Sequence, residues 1–175
     1  AFESVKKSIE KIFAGENPGK TADEDHSEWY RQMFAPSVTA GILKPSDLAG
    51  YRSGQVFISQ SAHIPMSPQG VRDAIPVLFD LLQNESEASV RAVLGHFIFV
   101  YIHPYMDGNG RIARFLMNVM LAFGGYPWTT IPLERRDEYM SALERASVEH
   151  DIEDFAKFVA DLVSENMKSE GKVQD

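Results

Sequence analysis

The chain has 175 residues, enough for one domain with a sizeable core and too few for two ordinary ones. A net charge of −8 is a poor match for a protein that grips nucleic acid by its phosphates, although a pocket for one nucleotide needs only local positive charge. The absence of cysteine excludes a disulfide framework, a thiolate zinc site and a cysteine nucleophile.

Residues 1–13 carry Phe2, Val5, Ile9, Ile12 and Phe13 at helical spacing, and GENPGK at 15–20 breaks that helix. Thr21 or Asp23 is the expected cap of a second helix through Trp29, Tyr30, Met33 and Phe34, followed by a short helix and turns from Pro36 to Leu48. Gln55 to Ser59 (QVFIS) reads as a short strand, and the proline-containing stretch QSAHIPMSPQG as loop. Ser67-Pro68 opens a third helix with Val71, Ile75, Leu78 and Leu82 on one side and Pro76 inside it. Ser86 to Tyr101 is the most apolar helix, expected to be central and buried. It stops at His103-Pro104, turn formers follow from Met106 to Asn109, and a helix from Gly110 to Phe123 ends at Gly124-Gly125. Arg135 to His150 and Ile152 to Met167 read as amphipathic helices, and KSEGKVQD as a polar tail. The pattern predicts an all-α bundle with one small β-hairpin at its surface.

No run approaches the ~18 apolar residues of a membrane span, so no membrane partner is expected. The start AFESVKKSIEKIF lacks a signal-peptide pattern and an initiator Met. A cytoplasmic location follows as the expectation, with injection into a host cell left open. The start reads as that of a processed form or of a piece of something longer.

The densest chemistry lies in residues 103–114, HPYMDGNGRIAR. Gly108, Asn109 and Gly110 sit at a helix entrance, where free N–H groups and the helix dipole make an anion site. Glycine also permits close approach of a phosphate. Arg111 and Arg114 are three apart on the first turn, so two guanidinium forks face one side. Asp107 is a lone carboxylate beside this cradle, as a Mg²⁺ site beside phosphates requires. His103 is a group able to take a proton near neutral pH. Each feature alone is weak, since Asp-Gly and Asn-Gly mark turns and an i,i+3 Arg pair is usually solvated surface.

Together these residues resemble the Fic signature H-x-F-x-[DE]-G-N-G-R-x-x-R, with Tyr105 where Phe is usual. Tyr should fill that apolar anchor, its hydroxyl needing a partner. VFISQSAHIPMSP (56–68) is similar to the family's flap, and FVYIHP, RFLMNVMLAFGGYP and RDEYMSALERAS extend the likeness over roughly residues 38–165. The resemblance implies an all-α Fic fold with a β-hairpin flap. It divides the chain into an N-terminal helical extension (1–37), a catalytic core (38–167) and the polar tail (168–175).

The activity it implies is transfer of AMP from ATP, with Mg²⁺, to a Ser, Thr or Tyr hydroxyl of a target protein, releasing pyrophosphate. His103 would be the general base and Asp107 the Mg²⁺ ligand. Gly108, Asn109 and Gly110 would form the anion hole, Arg111 would hold the β-phosphate, and Arg114 the γ-phosphate or an inhibitory glutamate. Gln60, Ser61, Ala62 and His63 would lie in the flap that aligns the target, and Tyr139, Met140 and Ser147 match the base pocket. The family's inhibitory pattern [ST]-x-x-x-E-[GN] has only the near matches Asp161–Asn166, Asn166–Gly171 and Ile12–Asn17, which lack the Ser or Thr. An inhibitory segment upstream of residue 1 or on another chain is therefore expected, and a homodimer is left open. The competing readings are AMP removal, transfer of another nucleotide or of phosphate, and a non-catalytic nucleotide-binding module. Elsewhere, His96 reads as a packed core histidine, and His26 and His150 as surface.

Overall fold

The computed structural model describes residues 1–171, with the side chains of residues 170 and 171 left aside. Seven α-helices account for most of these residues: α1 Phe2–Phe13, α2 Pro18–Thr39, α3 Pro68–Asn84, α4 Ala88–Ile102, α5 Asn109–Phe123, α6 Arg136–Glu149 and α7 Glu153–Gly171. Short 3-10 turns at Pro45–Leu48 and Leu133–Arg135 complete the list. The centre is the antiparallel pair α4–α5. α1 and α2 pack on α5, α3 bridges α2 and α4, and α6 and α7 pack together against α4. Phe99, Ile112, Leu116, Met117 and Met120 fill the space between these layers and are inaccessible to solvent. Burying each such side chain is worth about 1.5–3 kcal/mol.

Local chemistry sets the helix ends. α2 is capped by Asn17, whose side chain accepts from the Lys20 N–H at 3.1 Å, with Pro18 in the first helical position. The cap is thus four residues earlier than Thr21, whose hydroxyl instead donates to Glu16 at 3.3 Å. α2 also runs through Pro36 to Thr39, beyond the expected end. The proposed boundary between residues 37 and 38 falls inside this helix. Val5, Trp29 and Phe99 belong to one continuous core, so residues 1–37 are packed into the same body. α3 begins as expected, with the Ser67 hydroxyl accepting from Gly70 N–H at 3.1 Å and Pro68 behind it. Of the expected polar tail, residues 168–171 continue α7 and 172–175 lie outside the described residues.

The expected hairpin is not present: no strand occurs among the described residues, and 53–67 is an extended loop that turns at Ser59-Gln60. A hairpin needs backbone bonds between its limbs. Here the limbs are joined instead by the Gln55 side-chain amide, which donates to Pro65 O at 2.8 Å. Pro65 carries no N–H to offer a ladder, and an isolated two-stranded ribbon is marginal in water.

His26, expected on the surface, is 4% exposed. Its Nδ1–H donates to Ala22 O and Asp23 O, Tyr51 OH donates to its Nε2, and its ring stacks on Phe79. His96 is a core histidine, fully buried and 2.9 Å from the Tyr139 hydroxyl.

Candidate active site

The site begins where α4 stops. His103 ends that helix in the left-handed region, φ 54° and ψ 61°, a conformation costing an L-residue of its kind about 1 kcal/mol or more. It is held there from three sides. Its N–H bonds Phe99 O at 3.0 Å, the Arg52 Nε–H donates to His103 O at 2.7 Å, and the Arg52 N–H to Pro104 O at 2.9 Å. The His103 Nδ1–H donates to Val100 O at 3.2 Å, so the neutral ring keeps the Nε2 lone pair free. Burial holds the imidazole below its ordinary pKa, and the bond to Val100 opposes that shift. A neutral imidazole at physiological pH is a ready proton acceptor.

The connection from α4 to α5 is set by Asn109. Its Oδ1 accepts from Tyr105 N–H and its Nδ2 donates to Tyr105 O, both at 2.8 Å, within a buried turn. This side chain therefore shapes the loop, and its backbone N–H stays at the helix entrance. Gly108 precedes it at φ +82°, where a Cβ would come within 2.5 Å of Met33 Cε and 3.0 Å of Phe34. The left-handed backbone favours glycine there, and any Cβ would have to displace the end of the Met33 side chain. The first amides of α5, those of Asn109 and Gly110, have no intrahelical acceptor and leave a positive helix end.

Asp107 lies exposed at the lip, its side chain 75% accessible. One carboxylate oxygen accepts from Gly108 N–H at 2.6 Å and the other from Arg111 Nη2 at 3.2 Å. The Arg111 guanidinium also lies over the Phe34 ring at 5.0 Å. Arg114 folds back toward the helix start, its Nη1 only 3.5 Å from where a Cβ on Gly110 would sit.

A cavity of about 450 Å³ opens beside these groups, a size suited to a small ligand. Its lining brings together His103, Gly110 and Arg114 with Tyr139 and Met140 of α6. An adjoining polar cavity of about 670 Å³ is lined by Gln60 and Ser61 and shares Met140. Ser147 lines neither. His63 turns to α4, donating from Nε2 to Tyr101 O at 2.9 Å, and Ala62 donates its N–H to Glu144 at 2.7 Å. A larger apolar groove of about 790 Å³ between α3 and α4 contains no Arg or Lys to meet a phosphate.

Sequence reasoning missed four residues here. Ile58 and Arg136 line the cavity beside the motif. Arg52, 3% exposed, donates to His103 O, to Gly54 O at 2.8 Å and to Met66 O, tying both ends of the 53–67 loop to the histidine. Glu144 receives the tip of the same loop. Only long-range partners reveal the last two. Tyr105, expected to need a hydroxyl partner, is 2% exposed, stacks on Tyr30 at 3.8 Å, and has no hydrogen-bond partner for its hydroxyl among the described residues.

Comparison with known proteins gives this geometry a family. The family model described as Fic/DOC family matches residues 22–121. The chain is 34% identical over 131 residues to the protein adenylyltransferase Fic of Drosophila willistoni, covering 73% of this chain and 26% of that one. It is 37% identical over 124 residues to that of Nematostella vectensis, covering 69% and 28%. Among solved structures, Fic-1 (residues 134–508) from C. elegans superposes with a TM-score of 0.73 at 26% identity, covering 87% of this chain and 44% of that one. A Fic-domain signalling protein from Bacteroides thetaiotaomicron shares the fold, with a TM-score of 0.66 at 21% identity. The chain spans about a quarter of the length of the curated relatives it matches. With the family model covering more than half of its residues, the chain belongs to the Fic/DOC family.

Proposed function

We propose that this chain transfers AMP from ATP to a hydroxyl side chain of a target protein, with release of pyrophosphate. The observation that carries the proposal is one cavity lined at once by the free imidazole of His103, the α5 entrance at Gly110, and Arg114. The relatives' name, protein adenylyltransferase, supports the same reading.

The target hydroxyl approaches the α-phosphorus in line with the departing pyrophosphate. His103 Nε2 takes its proton as the O–P bond forms and the bond to the β-phosphate bridge breaks. The Asn109 and Gly110 amides, with Arg111, stabilise the charge that gathers on the phosphate oxygens. Arg114 holds the distal phosphate, and Tyr139 and Met140 flank the base. A single exposed carboxylate such as Asp107 suits a cation that keeps several waters and takes the rest of its ligands from phosphate. Held by Asp107, Mg²⁺ would supply charge neutralisation for the leaving pyrophosphate. Residues 60–63 set the edge against which the target segment lies.

The test uses α-labelled and γ-labelled ATP in parallel, with His103→Ala as control. Label on protein from α-labelled ATP alone, lost in the variant, supports AMP transfer with His103 as base. Label from γ-labelled ATP alone establishes phosphate transfer and removes the proposal.

A further inference from the structure

The loop 53–67 contributes Ile58 to the wall of the cavity and Ser59 to Ser61 to its polar neighbour. Having no strand ladder, it owes its position to side chains. Arg52 secures its base. At the tip the Ser61 hydroxyl donates to one carboxylate oxygen of Glu144 at 2.5 Å, and the Ala62 N–H donates to the other at 2.7 Å. His63 N–H in turn donates to Ser61 Oγ at 3.1 Å, so the captured hydroxyl also organises the next residue.

Glu144 stands on α6, the helix that presents Tyr139, Met140 and Leu143 to the cavity. Its neighbour Arg145 is committed to Glu149, Asp151 and Asp154. Both oxygens of Glu144 are thus spent on the loop tip, as charge-assisted bonds to a neutral hydroxyl and an amide.

We propose that Glu144 is a positioning residue that latches the loop tip to α6 and thereby fixes the gap between Ile58 and the α6 wall. Through that gap it sets how a nucleotide base is gripped and where the target segment lies. Arg52 fixes the opposite end to the backbone of His103, so the loop is suspended between the base-binding helix and the proton acceptor. The kinetic consequence rests on the AMP-transfer reading; the mechanical one does not.

The experiment is hydrogen–deuterium exchange on the whole chain, comparing wild type with Glu144→Ala and Glu144→Gln. The Ala variant is expected to exchange about tenfold faster at residues 61–63, whose amides carry the bonds at the loop tip, with the 103–114 segment and the unfolding midpoint unchanged. Gln keeps an oxygen for the Ala62 N–H and is expected to restore most of the protection. In AMP transfer, Glu144→Ala is expected to raise KM for nucleotide and target about tenfold, with kcat within about twofold. Unchanged exchange at 61–63, or a rise spread over every helix, overturns the latch. So does a fall in kcat at constant KM. If wild type transfers no AMP, the function proposal fails while the exchange comparison still decides the latch.

Discussion

Replacing Tyr105 by Phe tests the packing beneath the motif. The Tyr105 hydroxyl is enclosed, with no hydrogen-bond partner among the described residues, and burial drives its pKa far above the usual phenol value. An unpartnered buried hydroxyl costs about 1–3 kcal/mol in lost hydration. Removing it forfeits the dispersion contacts of one oxygen, roughly 0.1–0.2 kcal/mol per neighbouring atom, or up to about 1 kcal/mol in all. The ring keeps its stack on Tyr30 and its approach to Phe99 at 6.3 Å. Tyr105→Phe should therefore stabilise the fold by about 1 kcal/mol, a rise in Tm of about 2–4 °C for a domain of this size. The assay is urea unfolding followed by tryptophan emission, Trp29 being fully buried. A midpoint shifted upward at constant m supports the account. A loss of 1 kcal/mol or more would refute it, since the hydroxyl must then have a partner that stabilises it.

Gly108→Ala should cost about 2 kcal/mol, from the left-handed φ and the contacts with Met33 and Phe34, and should abolish nucleotide binding; calorimetry with ATP and thermal melts read the two effects separately. Burial lowers the pKa of His26, and that of His96 to about 3, so in the pH range just below 6.5 the unfolded chain takes up protons there that the folded chain refuses. Stability should be level above about pH 6.5 and fall below it, by up to about 1.4 kcal/mol per pH unit from His96 alone, with His26 and His103 adding in the same direction; urea midpoints at pH 7, 6 and 5.5 check this. His103 must be neutral to accept a proton, and its pKa is depressed. The rate of AMP transfer should therefore stay on a plateau down to below pH 6.5 and then fall, and an acid-limb midpoint above 7 in the pH–rate profile would remove His103 as the base.

The elements that sequence reveals best are those whose cause is local. The apolar run of α4, the Ser67-Pro68 start of α3 and the glycines flanking Asn109 all act within a few residues, and each appears where the pattern puts it. The failures have distant causes. QVFIS carries the composition of a strand, but a strand exists only with a partner, and the returning limb is interrupted by Pro65. His26 sits in the acidic stretch DEDHSEW and reads as surface until Tyr51 and Phe79 are seen to close over it. Arg52 meets His103 across 51 positions, and Glu144 meets Ser61 across 83. Ser147 shares α6 with Met140 and stands two turns further along it, and it lines neither cavity.

The paired bonds between Asn109 and Tyr105 bear on how the protein ages. Asn-Gly is the dipeptide most open to deamidation, because the glycine N attacks the side-chain carbonyl carbon with little hindrance. In the folded chain that side chain is held away by two hydrogen bonds to Tyr105, and the residue is 2% exposed. Attack must wait until the α4–α5 connection opens, so storage damage should follow the frequency of that local opening rather than time alone. The injury would also be self-sealing. Aspartate at 109 would set a carboxylate oxygen against the Tyr105 carbonyl where an amide N–H now donates, and the turn that carries the reactive groups would not close again.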